Sequence, residues 1–212
     1  MLSLVDVSTE PGTPSAPAPR LILASASPRR RELLHEAGYN FEVHPADIDE
    51  DDYPPTLLPA ELARRLAGLK AAAVAARFPS DVVLAADTVV AFGDAPLGKP
   101  ADERAAANML ELLSGTTHLV ITGVTIVHAS RSFRRSIRVM SAVRMKALTA
   151  AEIQQYVESG DWRGKAGGYG IQDQRPDPFV TRMSGSHSNI VGLPMEKTVE
   201  LLAAAGMVPR RG

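Results

Sequence analysis

The sequence predicts an α/β protein built on a mixed β-sheet with flanking helices. Three observations carry that prediction. Apolar runs of strand length alternate with helix-period segments along the chain. One run, "DVVLAADTVVAF" (81–92), is apolar on both faces apart from Asp87 and Thr88, as suits a central strand covered from both sides. Two long β-branched runs, "THLVITGVTIVHA" and "RSIRVMSAVRMKAL", meet near 129–133 and read as a hairpin of long strands.

Taken in order, residues 1–19 include "STEPGTPSAPAP", rich in Pro, Ser, Thr and small residues. This stretch has no apolar or basic signal-peptide region and reads as a disordered extension before a single domain at 20–212. "RLILAS" (20–25) is a short buried strand. Ser27 and Pro28 sit at the N-cap and first position of a helix that Gly38 closes. "NFEVHPADI" alternates as a second strand and leaves into an acidic loop. A long Ala- and Leu-rich helix spans 59–77, and the 81–92 strand follows. "GDAPLGKP" is a loop, 101–113 a helix, and Thr149 caps another helix after the hairpin. A glycine-rich stretch (160–170), a strand near 178–183, a turn and a last helix from Pro194 to about Ala205 complete the chain.

Composition narrows the chemistry. The 212 residues contain no cysteine, which excludes disulfides, zinc thiolates and thiol nucleophiles. A net charge of −1 offers no global field toward nucleic acid or an anionic membrane, and no apolar run reaches the roughly 18–20 residues of a membrane span. The expected location is cytoplasmic, with neither nucleic acid nor membrane as partner. The five histidines, at 35, 44, 118, 128 and 187, form no metal-binding pattern and read as core-edge or surface residues.

Asp87 is the first candidate functional residue. A carboxylate in a two-sided apolar run is costly unless a cation, a metal or hydrogen bonds meet it, so it is either a backbone cap or a ligand or base at a strand end. "SASPRRRELL" adds a phosphate cradle: a strand delivers Ser25 and Ser27 to a helix N-terminus, whose free amides and dipole favour anions. Arg29 and Arg30 in its first turn can donate bidentately, although three arginines there oppose the dipole. Lys99 follows in "GKP", and Lys70 interrupts an Ala/Leu helix. Asp47, Asp49, Glu50, Asp51 and Asp52 form a charged loop that is either solvated or lends one carboxylate to a hard divalent cation. No Walker or Rossmann glycine motif occurs.

With these residues in place, the chain resembles the Maf family of nucleoside triphosphate pyrophosphatases, from about Arg20 to about Ala205. The likeness rests on "LASASPRRRELL", "AADTVV", "GKP", "DWRGKAGGYGIQ" and "GSHSNIVGLP", in that order and at the family's spacing. It implies a two-lobed fold with a long twisted mixed sheet and a central cleft, similar to inosine triphosphate pyrophosphatases. It also implies hydrolysis of a nucleoside triphosphate to the monophosphate and pyrophosphate with Mg²⁺ or Mn²⁺, and a homodimer. By the same resemblance Asp87 is the proton acceptor, and Glu50 and Asp87 hold the metal. Ser25, Arg29, Arg30, Lys70 and Lys99 line the phosphates, and Arg29, Thr88 and Gln172 govern substrate choice. "AGGYGIQ" looks like the dTTP- and UTP-directed branch; the branch acting on 7-methyl-GTP differs there. A glutamine amide at 172 does match the donor–acceptor edge of a pyrimidine imide.

The loop "DQRPDP" (173–178) departs from the family's small residues, and Trp162 has no role derivable from sequence. Three rival readings stand beside this one. The first is a nucleotide-binding regulator of cell division without turnover. The second is a nucleic-acid module, suggested by Arg131, Arg134, Arg135, Arg138 and Arg144, which more simply form a solvated strand edge. The third is a serine hydrolase at Ser186-His187, which lacks the nucleophile elbow.

Overall fold

The computed structural model describes residues 18–171 and 179–210. Its elements are β1 (Leu21–Leu23), α1 (Pro28–Glu36), β2 (Glu42–Val43), α2 (Pro59–Ala75), β3 (Val82–Phe92), β4 (Ala95–Leu97), α3 (Glu103–Leu113), β5 (Thr117–His128), β6 (Phe133–Met145), α4 (Ala150–Ser159), β7 (Val180–Ser184), α5 (His187–Val191) and α6 (Met195–Ala204). The sheet runs β2-β1-β3-β5-β6-β7, with β4 added to β3. β1 is parallel to β2 and β3, and the other pairings are antiparallel, so the sheet is mixed as expected.

β3 organises the molecule. On one face Leu84 and Ala86 join a core with Val124 and Ile126 of β5, and farther along Val90 joins a second core with Val120 and Val143. On the opposite face Val83 and Ala85 belong to one cluster, and Val89, Ala91 and Ile121 to another. Strand geometry sends alternate residues to opposite faces. Each face of β3 is therefore an apolar run broken once, by Asp87 on one side and by Thr88 on the other. Burial of leucines such as Leu110, Leu113 and Leu202 (all 0% exposed) stabilises these cores by about 1.5–3 kcal/mol per side chain.

The edge of β3 opens at the same place. β1 pairs with Val82–Leu84, and β4 pairs with Val90–Phe92. Between them, residues 85–89 have no strand on that side among the described residues, and Asp87 and Thr88 lie along that gap on opposite faces. Across β3, Asp87 stands opposite Gly123 of β5. A Cβ at Gly123 would run into the backbone of Ala63 in α2. That glycine lets α2 lie directly on the sheet, and the same buried stripe of the helix carries Lys70 toward Asp87.

Several elements differ from the sequence expectations. β2 has two residues, because only Glu42 and Val43 find pairing on β1. The loop after β3 contains the short strand β4, and the turn before the last helix contains the five-residue α5. Ser27 occupies the N-cap of α1 but makes no side-chain cap bond; its N–H donates to Ser25 Oγ at 3.3 Å. Thr149 caps α4 in a full capping box, as read. His118 and His128 are 2% and 3% exposed, core residues and not edge ones. Trp162 is a core residue whose Nε1 donates to Val157 O at 3.0 Å. Of the arginines on β6, Arg138 pairs with Glu61 of α2, while Arg134, Arg135 and Arg144 are exposed. No described helix is long and apolar enough to cross a membrane.

Candidate active site

The gap beside β3 is the floor of a cleft of about 430 Å³. The β1–α1 turn, Lys70 on α2, the Lys99 loop, the glycine-rich segment after α4 and the end of α5 wall it. Ser25, Arg29, Arg30, Glu50, Lys70, Asp87, Thr88 and Lys99, all expected at the site, meet there. Gln172 and the 173–178 loop lie outside the described residues.

On the α2 face the charges compensate one another. Asp87 (7% exposed) is met by an ammonium and not by backbone amides: Lys70 Nζ donates to its Oδ1 at 2.6 Å. The same ammonium lies 2.9 Å from Glu50 Oε1, and Lys99 Nζ donates to Glu50 Oε2 at 3.3 Å. A lysine as buried as Lys70 is tolerable only because two carboxylates repay its desolvation. Asp47, Asp49, Asp51 and Asp52 stay exposed while Glu50 turns inward, so the acidic loop lends one carboxylate to the site. Burial pushes the Glu50 carboxyl up, but Lys70 and Lys99 outweigh it and hold it below the usual carboxylate range.

On the other face the cations rest on neutral acceptors. Arg30 donates to Gly192 O (2.8 Å), Ser25 Oγ (3.0 Å) and Thr88 Oγ1 (3.1 Å). Arg29 Nε donates to Val191 O at 3.3 Å. Burial lowers both guanidinium pKa values, though an arginine remains charged. Arg31, third in the run, is exposed. The arrangement concentrates positive charge at a helix N-terminus without neutralising it there, which is what a polyanionic ligand requires.

An apolar end adjoins this polar one. Val90 and Val120, partners across β3 and β5, line the cleft with Tyr169, Ile171 and Ile190. They lie two residues beyond the Thr88–Thr122 pair, roughly 7 Å along the strands. Tyr169 is fixed from behind by His118, whose Nε2 lies 2.5 Å from the phenol oxygen with the rings edge to face. Burial drives the His118 pKa down to about 4, so the imidazole is neutral near pH 7.

Sequence reasoning missed several of these residues. Lys165, 8% exposed, lines the cleft within the glycine-rich segment; the signal that could have found it is its place in "DWRGKAGGYGIQ". Thr122, Asn189 and the carbonyl of Gly192 hold the arginine side of the site; Asn189 and Gly192 stand in "GSHSNIVGLP", but nothing in the chain ties them or Thr122 to Arg30.

Comparison with known proteins agrees with this geometry. The family model described as Maf-like protein matches residues 20–205. A dTTP/UTP pyrophosphatase of Roseobacter denitrificans is 51% identical over 189 residues, covering 87% of this chain and 96% of that protein. Another so named, from Hyphomonas neptunium, is 54% identical over 187 residues, covering 88% and 95%. Among solved structures, a nucleoside-triphosphatase / dITP/XTP pyrophosphatase from Mycobacterium abscessus aligns with a TM-score of 0.43 at 15% identity, covering 90% of this chain and 100% of that one. That likeness is too faint to bear on fold or function.

Proposed function

The chain belongs to the Maf family, and from that membership and the geometry of the cleft we propose that it hydrolyses dTTP and UTP to the monophosphate and pyrophosphate. The observation that carries the proposal is the pairing of a buried, lysine-bound Asp87 with guanidiniums held only by neutral acceptors, on adjacent residues of one open strand edge. One side can move a proton, and the other can bind phosphates. The relatives named above act on dTTP and UTP by name, which supports the choice of base.

The residues fit a divalent cation such as Mg²⁺ or Mn²⁺. Glu50 and Asp87 bring hard carboxylate oxygens to one ammonium, 2.9 and 2.6 Å away, close enough for one cation to draw on both. Such ions are held by one or two carboxylates plus substrate phosphates, not by a full protein cage. When bound, the cation supplies charge neutralisation on the triphosphate and Lewis acidity at its oxygens.

Asp87 Oδ1 is engaged by Lys70, and its second oxygen accepts a proton from water. The water oxygen bonds to the α-phosphorus, the bond from that phosphorus to the bridging oxygen breaks, and pyrophosphate leaves. Arg29, Arg30 and Lys99 meet the charge that gathers on the phosphate oxygens. Lys70 keeps Asp87 aimed through its hydrogen bond to Oδ1. Val90, Val120 and Tyr169 seat the flat base in the apolar end.

A panel of nucleoside triphosphates assayed for pyrophosphate release tests the proposal. Release from dTTP and UTP well above the purine triphosphates is the expected result. Tight binding of dTTP without pyrophosphate release would make the chain a nucleotide-sensing protein and overturn the enzyme reading.

A further inference from the structure

The segment 186–192 contains a five-residue helix that bonds to neither Asp87 nor Glu50, yet it holds Arg29 and Arg30. Its terminal carbonyls, Val191 O and Gly192 O, accept from Arg29 and Arg30. Gly192 has φ +125, a conformation L side chains rarely adopt, and a Cβ there would stand 3.5 Å from Thr88 Oγ1 and 3.6 Å from Arg30 Nε. The turn of the carbonyl toward Arg30 therefore depends on glycine.

The helix is in turn fastened to the sheet by Asn189, which is 0% exposed. Its amide donates to Val120 O and to Ser141 Oγ, each at 3.0 Å. Its backbone carbonyl accepts from Thr122 Oγ1 at 3.0 Å. Thr122 lies 3.0 Å from Thr88 Oγ1, which accepts from Arg30. A hydroxyl has one proton. Thr122 gives its proton to Asn189 O, so Thr88 donates to Thr122 at 3.0 Å in preference to the more distant Gly192 O at 3.5 Å. The chain of bonds then runs one way: Arg30 to Thr88, Thr88 to Thr122, Thr122 to Asn189. The Thr88 proton is spent inside the protein and is not available to a substrate.

We propose that Asn189 is a positioning residue for Arg30, aiming its guanidinium into the cleft through the Gly192 carbonyl and through the Thr122–Thr88 chain. An apolar residue at 189 would leave Val120 O and Ser141 Oγ without their donor and free the turn to drift. This proposal rests on the reading of Arg30 as a phosphate ligand, and the experiment separates the two.

With the full chain, inhibition of dTTP hydrolysis would be measured for inorganic triphosphate, which reports phosphate contacts, and for thymidine, which reports the base end. Arg30→Ala is the reference and should weaken triphosphate by roughly 10- to 100-fold, the loss expected of hydrogen bonds to a charged group. Asn189→Ala and Thr122→Val should weaken it roughly threefold to tenfold, as for a neutral hydrogen bond. Thymidine inhibition should stay within about twofold, and neither change should add to Arg30→Ala, because coupled residues are non-additive. If Asn189→Ala does not fold, Thr122→Val decides alone. Wild-type triphosphate inhibition in Thr122→Val and Asn189→Ala, with Arg30→Ala impaired, overturns the positioning role and leaves the phosphate reading standing. Equal weakening of both probes overturns it as general loosening. Normal triphosphate inhibition in Arg30→Ala would bring down the phosphate reading and this proposal with it.

Discussion

Asp87 and Thr88 are adjacent residues on one strand, yet they belong to two different kinds of site. Asp87 faces α2, where Lys70, Glu50 and Lys99 form a closed exchange of charge. Thr88 faces α5, where Arg30 is held by a hydroxyl relay and a backbone carbonyl. The charged face is stable by itself because each ammonium has its carboxylate. The neutral face carries cations that hydrogen-bond to no carboxylate among the described residues, and a polyphosphate completes it. The period-two alternation of a strand suffices to place proton chemistry and anion binding one residue apart, although the Asp87 and Glu50 carboxylates still act on Arg30 through space.

Four outcomes would break or sharpen this contrast, and the largest effect falls on the charged face. Asp87→Asn should lower kcat for dTTP by about 10²–10⁴, the usual contribution of a positioned base, while dTTP binding survives; steady-state kinetics with direct binding checks it. Lys70→Met leaves Asp87 buried without its cation. Loss of one partner from a buried pair costs about 3–5 kcal/mol, so calorimetry should show a melting temperature roughly 10 °C lower, along with lost turnover. A melting temperature equal to wild type would mean that the charge network holds nothing together.

On the neutral face a new charge should be unwelcome. The folded pKa of His118 is about 4 against 6.5 unperturbed, so the unfolded chain binds more protons between those values and stability rises with pH there. The contribution is fully present above pH 6.5 and fades as pH falls toward 4, on the order of 3 kcal/mol in all. Denaturant titrations at pH 7 and pH 5 should show this loss in wild type and a smaller one in His118→Gln. The smallest effect concerns Thr88→Val, which keeps shape but removes the hydroxyl that holds Arg30. Its KM for dTTP should rise roughly threefold to tenfold with kcat little changed.

Part of each face was legible in the chain. Asp87 stood out because one carboxylate interrupts an apolar run, and the Ser25–Arg30 turn because it joins a strand to a helix N-terminus. The pairing of Lys70 with Asp87 was not legible, since it depends on α2 settling against Gly123, a contact no periodicity encodes. The support behind Arg30 on the neutral face was nearly invisible. Thr122, Asn189 and Gly192 reach Arg30 through hydroxyls and carbonyls brought together only by the folded sheet. α5 and β4 are too short, at five and three residues, to leave a periodic trace. Lys165 and Tyr169 stand in "DWRGKAGGYGIQ", but their burial and the pairing of Tyr169 with His118 are properties of the packed molecule.

The division between the two faces is most directly tested by single-turnover pyrophosphate release from dTTP, with Asp87→Asn and Thr88→Val measured side by side. The predicted result is a crossed pattern: Asp87→Asn loses the rate at saturating nucleotide and keeps affinity, whereas Thr88→Val keeps the rate and loses affinity. A Thr88→Val enzyme whose saturated rate falls as far as that of Asp87→Asn would contradict the division.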